Sequence, residues 1–266
     1  MTTTSTREAT GTWFRCFRGV ADPRVRLVCL PHAGGTANLF AGWPARLPSD
    51  VELLAVRYPG RQDRLAEPCI EDMDELADRI TEAVLPLTDR PVALFGHSMG
   101  SSVAYEVARR LEGRHGVVPA HLLVSGRVAP HRTPRTTLHL TDDEALISAA
   151  RALGDLGSSV FDIPELRELL MPALRADYRL IERYEVTAPQ ILDTPVTAYV
   201  GDRDPGSSRV LADVAAWAEL TRRPGCEVIS FPGDHFYLAP CEAELVADVT
   251  ARLATVRSSH RLRTFP

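Results

Sequence analysis

A serine lies between two glycines in the segment Gly-His-Ser-Met-Gly at residues 96–100. An apolar run at residues 91–95 precedes this segment and an amphipathic stretch follows it, so a strand should turn sharply into a helix at the serine. Such a turn lifts the hydroxyl of Ser98 above the edge of a sheet, where it can attack a carbonyl carbon. The flanking glycines fit because a tight turn leaves no room for side chains beside the serine. Ser98 is therefore the predicted catalytic nucleophile.

A serine hydroxyl is weakly nucleophilic at neutral pH, so it requires a nearby base, and a carboxylate must orient that base. Two later loops offer these groups in the chain order Ser, Asp, His that belongs to such a turn. The first loop, at residues 201–205, contains Asp204, which we prefer as the acid, and Asp202, which is the alternative. The second loop, at residues 232–236, follows the last predicted strand and contains His235, the predicted base.

The carbonyl oxygen of a substrate gains negative charge in the transition state, and backbone amides of two loops can stabilise that charge. The amide that follows the nucleophile belongs to Met99. The second amide should come from the loop Pro-His-Ala-Gly-Gly at residues 31–35, where we choose Ala33. A phosphate-binding loop is the alternative for this segment, but it lacks the Gly-x-Gly-x-x-Gly spacing and the lysine of a P-loop.

Short apolar runs rich in β-branched residues alternate with amphipathic stretches, which predicts an α/β fold with a mostly parallel, doubly wound sheet. In the first helix Asp72 should be the N-cap, with Glu75 completing a capping box. The predicted strands span residues 25–30, 51–56, 91–95, 121–124, 195–200 and 226–231, and the predicted helices span residues 72–85, 99–111, 142–153, 172–185 and 244–256.

The interval between the fourth and fifth predicted strands is too long for a simple crossover connection. We interpret residues 127–190, approximately, as a helical lid inserted into one domain that spans residues 13–256. The ends of the chain, residues 1–12 and 257–266, should be loosely held.

Composition excludes several classes of protein. The 266 residues are 45% hydrophobic and 24% charged, as in an ordinary globular protein, and the net charge of -5 argues against general nucleic-acid binding. No apolar run is long enough to cross a membrane and the N-terminus is polar, so we expect a cytoplasmic protein without a membrane partner. The five cysteines show no Cys-x-x-Cys spacing and should be free thiols rather than a disulfide framework or a zinc site.

Several motifs together resemble one family, the free-standing type II thioesterases of polyketide and nonribosomal peptide biosynthesis, which belong to the α/β-hydrolase superfamily. The segment Arg-Tyr-Pro-Gly-Arg-Gln-Asp-Arg at residues 57–64 separates this family from generic esterases. The other matching motifs are Leu-Pro-His-Ala-Gly-Gly at residues 30–35, the segment at residues 96–100, Gly-Asp-Arg-Asp at residues 201–204 and Gly-Asp-His-Phe at residues 233–236.

The resemblance implies an α/β-hydrolase fold with an inserted helical lid. It also implies hydrolysis of aberrant or stalled acyl groups from the phosphopantetheine arms of acyl or peptidyl carrier proteins, through an acyl-enzyme at Ser98. No metal or cofactor is required, because the thiol of the leaving arm has an ordinary pKa of about 8.5 and departs with little help.

Other functions share many of these features. A carboxylesterase or lipase acting on oxyesters would use the same Ser98, Asp204 and His235. A cyclising thioesterase cut from a synthase is disfavoured, since a short polar lead after Met1 is typical of a free-standing gene product. A non-catalytic binding partner in a synthase complex is the alternative from another class.

A basic segment at residues 127–135 should lie near the mouth of the site, because it follows a strand at the edge where ligands bind in open α/β sheets. It contains Arg127, Arg132 and Arg135 and no acidic residue. We predict that these arginines attract the phosphate of the pantetheine arm or an acidic carrier surface. An ordinary solvated loop is the alternative.

Overall fold

The structure is a computed structural model that describes residues 11–154, 157–205 and 211–258. Within these residues, seven strands form one sheet. They are β1 (Phe14–Cys16), β2 (Val25–Leu30), β3 (Val51–Val56), β4 (Val92–His97), β5 (His121–Ser125), β6 (Val196–Gly201) and β7 (Glu227–Phe231). Their order across the sheet is β1-β3-β2-β4-β5-β6-β7. β1 pairs antiparallel with β3 and all other neighbours are parallel, which confirms the predicted sheet.

The sequence did not predict β1, and it placed the end of β4 too early. β1 has only three residues, too few to show an alternating pattern, although Phe14 is buried and pairs with Val56. β4 continues through Gly96 and His97, so the ladder to β5 extends to the pair His97–Ser125. The sheet therefore holds the backbone up to the residue before Ser98.

Helices cover both faces of the sheet. The α-helices are α1 (Met73–Val84), α2 (Met99–His115), α3 (Asp143–Leu153), α4 (Pro164–Arg183), α5 (Leu211–Ala215) and α6 (Glu242–Ala254). Successive strand residues point to opposite faces. Val28 and Leu30 pack in the cluster that contains α1 and α2, whereas Leu27 and Cys29 pack in the cluster that contains α6. The sheet is thus doubly wound, as predicted.

The start of α1 agrees with the predicted cap. The side chain of Asp72 accepts a hydrogen bond of 2.9 Å from the backbone amide of Glu75, which satisfies one of the amides left unpaired at a helix start. The reciprocal bond of a capping box is not formed within the described residues, because the Glu75 carboxylate faces Arg79 on the next turn at 3.9 Å. Asp72 alone therefore caps the helix.

The connection between β5 and β6 contains α3 and α4. The prediction for α4 was wrong at its start: the helix begins at Pro164 and contains Pro172 in its interior, where the sequence placed the first residue. A proline inside a helix loses a hydrogen bond and crowds the preceding turn. The helix continues because Met171 and Leu174, on either side of Pro172, are buried against Leu146 and Ile147 of α3. Tertiary packing here overrides a local breaker.

No helix among the described residues is long and apolar enough to cross a membrane. All five cysteines are free. The predicted loose ends lie almost entirely outside the described residues, which include only positions 11–12 and 257–258 of them. The division into one domain with a lid, and the cytoplasmic location, stay predictions.

Candidate active site

Ser98 sits in a strained turn between β4 and α2. Its φ of 56° and ψ of -120° are rare for a residue with a side chain, and strain of this kind marks functional sites. The backbone amide of Ser98 donates to the carbonyl oxygen of Ser125 at 2.7 Å, which fixes the turn to β5. A Cβ at Gly96 would overlap the carbonyl of Gly100, and one at Gly100 would overlap the carbonyl of Leu30. The glycines therefore permit the close packing that holds Ser98 at the top of the sheet.

Asp204 and His235 form a buried pair at the ends of β6 and β7. His235 Nδ1 and Asp204 Oδ2 are 2.9 Å apart, and the two side chains are 5% and 0% exposed. A carboxylate at Nδ1 leaves Nε2 as the basic nitrogen of a neutral imidazole. This geometry is what a base and its orienting acid require.

The alternative acid, Asp202, has a different partner. Its Oδ1 accepts a hydrogen bond of 2.8 Å from the amide of Gly233, and its side chain is about half exposed. Asp202 therefore holds the loop that carries His235 but does not contact the imidazole within the described chain. Of the two aspartates that the sequence offered, only Asp204 contacts His235 among the described residues.

Ser98 and His235 line one cavity of about 250 Å³. Within the described residues, His235 Nε2 is buried without a hydrogen-bond partner, and no hydrogen bond joins it to the Ser98 hydroxyl. Catalytic hydrogen bonds are often long before substrate binds and tighten in the complex. The cavity thus contains an accessible hydroxyl and an unoccupied basic nitrogen.

The two predicted oxyanion donors also line this cavity. Ala33 lies in the loop after β2 and Met99 is the first residue of α2. In the portion of the chain that the structure describes, neither amide donates a hydrogen bond to the protein. Both N–H groups remain available for a substrate oxygen, as an oxyanion hole requires.

Two further histidines, His97 and His32, lie near His235, and the sequence did not indicate a role for them. The ring of His97 lies 4.9 Å from that of His235 and 5.8 Å from that of His32. Burial, with a smaller contribution from His235, lowers the pKa of His32 to about 3 and holds the pKa of His97 well below its usual value. Both rings are therefore neutral at physiological pH. Their positions inside two of the motifs were the only available signal.

His97 is itself held in place by a hydrogen-bond chain. Its Nδ1 lies 2.9 Å from Ser125 Oγ, which lies 2.6 Å from the hydroxyl of Tyr237. Buried hydrogen-bond chains of this kind fix side-chain orientation, while the other ring nitrogen of His97, Nε2, is buried without a hydrogen-bond partner among the described residues. The chain therefore holds the His97 ring beside the ring of His235.

Buried neutral histidines make the fold sensitive to acid. His121, on β5, is a third case, because burial lowers its pKa to about 4. Unfolding exposes these imidazoles, which then bind protons at their ordinary pKa of about 6.5. We expect the free energy of unfolding to fall by about 2 kcal/mol per buried histidine between pH 7.5 and 5.0, measured by urea titration at both values. The loss begins as the pH drops below the unfolded pKa.

The matched variants are His121→Gln and His115→Gln. Glutamine can replace the 2.9 Å hydrogen bond between His121 Nε2 and Thr197 Oγ1, so the variant should fold. Its free energy of unfolding should fall by about 2 kcal/mol less than that of wild type over the same pH range. His115 is exposed, so its replacement should leave the acid effect unchanged. An acid effect of the same size in all three proteins would contradict the assignment.

The connection between β5 and β6 provides most of the cavity wall. The apolar wall residues from this segment are Val128, Pro134, Leu138, Ala149, Ala150, Leu153 and Ile181. A mainly apolar wall suits an acyl chain, since burial of each methylene is worth about 0.8 kcal/mol. The cavity therefore combines reactive groups at one end with an apolar lining.

The structure brings only one of the three predicted docking arginines to this cavity. Arg127 lines it, and within the described residues its guanidinium makes no hydrogen bond or ion pair. Arg132 pairs with Glu219 at 3.2 Å, and Arg135 pairs with Glu185 at 2.7 Å. The acids come from distant parts of the chain, so the segment is not the unopposed basic cluster that its own sequence indicates.

Burial lowers the pKa of Arg127 to about 10, which leaves the guanidinium charged at neutral pH.

Among the described residues, no group of three or more His, Cys, Asp and Glu side chains could hold a metal ion.

Comparison with known proteins decides the family. The family model described as the thioesterase domain matches residues 25–253. The chain belongs to the thioesterase domain family. This thioesterase is 43% identical to thioesterase PikA5 of Streptomyces venezuelae over 250 residues. The matched region covers 94% of this chain and 88% of that protein. It is 33% identical to the gramicidin S biosynthesis protein GrsT of Aneurinibacillus migulanus, over 92% of this chain and 94% of that protein.

A solved structure agrees with the fold. The type II thioesterase BorB from the borrelidin biosynthetic cluster superposes with a TM-score of 0.82 at 38% identity, covering 91% of this chain and 98% of that chain. The predicted α/β-hydrolase fold and the predicted resemblance to type II thioesterases are confirmed. This thioesterase is accordingly a hydrolase of thioesters.

Proposed function

We propose that this thioesterase removes aberrant or stalled acyl groups from the phosphopantetheine arms of carrier proteins, in polyketide or nonribosomal peptide synthesis. One observation carries the proposal: a buried Asp204–His235 pair faces the cavity that also contains Ser98 and two unoccupied amides. The names of the relatives support thioester hydrolysis in biosynthetic clusters: PikA5 and BorB are called thioesterases, GrsT is a gramicidin S biosynthesis protein, and BorB comes from the borrelidin biosynthetic cluster.

The proposed reaction has two halves. Ser98 Oγ attacks the thioester carbonyl carbon and passes its proton to His235 Nε2, while the amides of Ala33 and Met99 stabilise the oxyanion. The C–S bond then breaks and His235 returns the proton to the departing thiol. In the second half a water attacks the acyl-enzyme, His235 accepts its proton and passes it to Ser98, and the free acid leaves. Asp204 stabilises the imidazolium in both halves.

The decisive experiment compares substrates of equal acyl length. A carrier domain loaded with acetyl, propionyl, butyryl or hexanoyl phosphopantetheine is assayed beside the corresponding p-nitrophenyl esters, with kcat/KM as the measure. We expect the carrier thioesters to be preferred by more than about tenfold, which is about 1.4 kcal/mol of transition-state stabilisation. A preference for the oxyesters would favour a carboxylesterase. No turnover of either class would favour a non-catalytic partner.

Arg127 is the remaining candidate for contact with the pantetheine arm. Its guanidinium is charged and has no ion-pair partner in the described chain, so a phosphate oxygen could bind it. We expect Arg127→Ala to raise KM for an acyl-carrier substrate about tenfold or more, since hydrogen bonds to charged groups are worth about 1.5–3 kcal/mol. KM for the matching N-acetylcysteamine thioester, which has no phosphate, should change little.

The double variant Arg132→Ala/Arg135→Ala is the matched control. Both arginines are already paired with surface acids, and exposed pairs contribute little, so KM should stay near the wild-type value. An equal rise of KM for the carrier and N-acetylcysteamine substrates in Arg127→Ala would show that Arg127 does not bind the phosphate. A larger effect from the double variant would instead favour an acidic carrier surface.

A further inference from the structure

The carboxylate of Asp177, on α4, contacts the loop after β2 that carries Ala33. Asp177 Oδ2 accepts a hydrogen bond of 2.7 Å from the backbone amide of Gly34. The same carboxylate binds both terminal nitrogens of Arg61, with Nη1 2.6 Å from Oδ2 and Nη2 2.8 Å from Oδ1. The side chains of Arg61 and Asp177 are only 5% and 4% exposed. A buried two-point ion pair thus joins α4 to this loop.

Arg61 and its neighbour Tyr58 also contact the loop directly. Arg61 Nη1 donates to the carbonyl oxygen of Gly35 at 3.3 Å, and the Tyr58 hydroxyl donates to the carbonyl oxygen of Pro31 at 3.2 Å. The guanidinium lies 5.2 Å from the centre of the Tyr58 ring, within the range of a cation–π contact. Both ends of the loop are therefore held by residues of the Tyr-Pro-Gly-Arg segment.

The loop backbone needs this support because of its conformation. Gly34 has a φ of 73°, and a Cβ there would lie 2.8 Å from Leu174 Cδ1 of α4, so α4 packs directly on the loop. The amide of Gly35 closes a tight turn onto the carbonyl of His32 at 2.9 Å. The peptide planes on either side of Ala33 are constrained by this turn and by the bond from Gly34 to Asp177.

We propose that Asp177 and Arg61 are positioning residues that hold the oxyanion hole in shape by joining α4 to the loop that carries Ala33. By fixing the Gly34 amide, the pair orients the neighbouring Ala33 N–H toward the cavity that contains Ser98. Arg61 supplies the positive charge that a buried carboxylate requires. Burial would lower the pKa of Arg61, but the charge and hydrogen bonds of Asp177 outweigh it and hold that pKa above its usual value. This inference rests on the proposed function.

The test separates transition-state stabilisation from ordinary substrate binding. Asp177→Asn has nearly the same shape, but its single amide oxygen must serve both Gly34 and Arg61, and its amide nitrogen faces the other Arg61 nitrogen, which is also a donor. The lost charge leaves the buried guanidinium uncompensated, so we expect the contact that fixes Gly34 to break. We expect kcat for an N-acetylcysteamine thioester to fall about 100-fold, the usual effect of losing one oxyanion donor, with KM within about threefold of wild type. A fall in kcat accompanied by a change in KM of more than about threefold would overturn the proposal.

A trifluoromethyl ketone analogue gives the independent readout. Ser98 Oγ adds to its carbonyl to form a hemiketal oxyanion, whereas a non-reactive thioether of the same chain length binds without forming one. In Asp177→Asn the inhibition constant of the ketone should rise in proportion to the loss of kcat, and the thioether should bind as in wild type. An unchanged ketone constant, or an equal weakening of both ligands, would overturn the proposal.

Glu106→Gln is the matched control for a buried ion pair. Glu106 pairs with Arg110, and their side chains are 2% and 0% exposed, but neither lines the cavity of Ser98. This variant should be less stable in guanidinium but keep the wild-type kcat and the wild-type inhibition constant of the ketone. If its kcat fell and its ketone constant rose as in Asp177→Asn, the proposal would be overturned. If Asp177→Asn does not fold, the test passes to Arg61→Lys, which keeps the charge but not the two-point contact. In that variant kcat must fall and the inhibition constant of the ketone must rise in proportion, or the proposal fails.

The two hypotheses fail differently. If wild type does not hydrolyse carrier thioesters or does not react with the ketone at Ser98, the proposed function is wrong. If wild type does both and the variants keep wild-type kcat and ketone binding, only the positioning role is wrong.

Discussion

Replacing Ser98 with alanine will lower kcat for hydrolysis of an acyl-carrier thioester by roughly 10⁵-fold or more. The variant has no hydroxyl to accept the acyl group, so His235 and the two amides can act only on a water that is not held in place. Intact-protein mass spectrometry should show a transient acyl adduct on wild type and none on Ser98→Ala. A fluorophosphonate probe should label wild type alone.

Ser102→Ala is the matched control for this prediction. Ser102 lies on the next turn of α2, and its buried hydroxyl has no hydrogen-bond partner within the described residues. Removing that hydroxyl should leave kcat and probe labelling at wild-type levels. Comparable losses in both variants would mean that damage to α2, and not the missing nucleophile, explains the result.

The second large effect concerns Asp204. We expect Asp204→Asn to lower kcat by about 10⁴-fold, because an amide nitrogen facing His235 Nδ1 can donate a hydrogen bond and favour the wrong tautomer. The side chain is fully buried, so solvent cannot replace the lost charge. The measurement is kcat at saturating substrate across the pH range in which the wild type is active.

Asp202→Asn tests the choice between the two aspartates. Its amide oxygen can still accept the hydrogen bond from Gly233, so the loop of His235 should keep its shape and kcat should fall by less than about tenfold. A larger loss in Asp202→Asn than in Asp204→Asn would reverse the assignment. Circular dichroism and unfolding curves on both variants exclude a general loss of structure.

The sequence predicted those parts of the molecule that short segments determine. The buried strands around the sheet centre have strong apolar patterns, and the turn at Ser98 needs only the strand before it and the glycines at 96 and 100. The order of Ser98, Asp204 and His235 placed all three at the same edge of a parallel sheet. The edge strand β1 was not predicted because three residues are too few to show a pattern. The start of α4 was predicted wrongly because Pro172, which is typical of a helix start, lies inside the helix.

Contacts between distant segments were not predictable in the same way. Asp177 lies 116 residues from Arg61 and 143 residues from Gly34, and nothing in the local pattern of α4 distinguishes its carboxylate from those on the helix surface. The partners of Arg132 and Arg135 are similarly remote, at Glu219 and Glu185. A basic run can therefore be neutralised by acids that its own sequence does not show.

Because most of the cavity wall comes from one stretch of the chain, the choice of acyl group can change independently of the reacting groups. The reacting groups come from loops at the ends of β2, β4, β6 and β7, whereas the apolar lining comes mostly from one continuous stretch between β5 and β6. Substitutions in that stretch can reshape the acyl pocket for longer, shorter or branched chains while the bond-breaking apparatus stays constant. If this stretch were replaced by the corresponding stretch of another enzyme, the new segment would need a carboxylate at the position of Asp177. That carboxylate binds Gly34 and Arg61 and so supports the loop that carries Ala33.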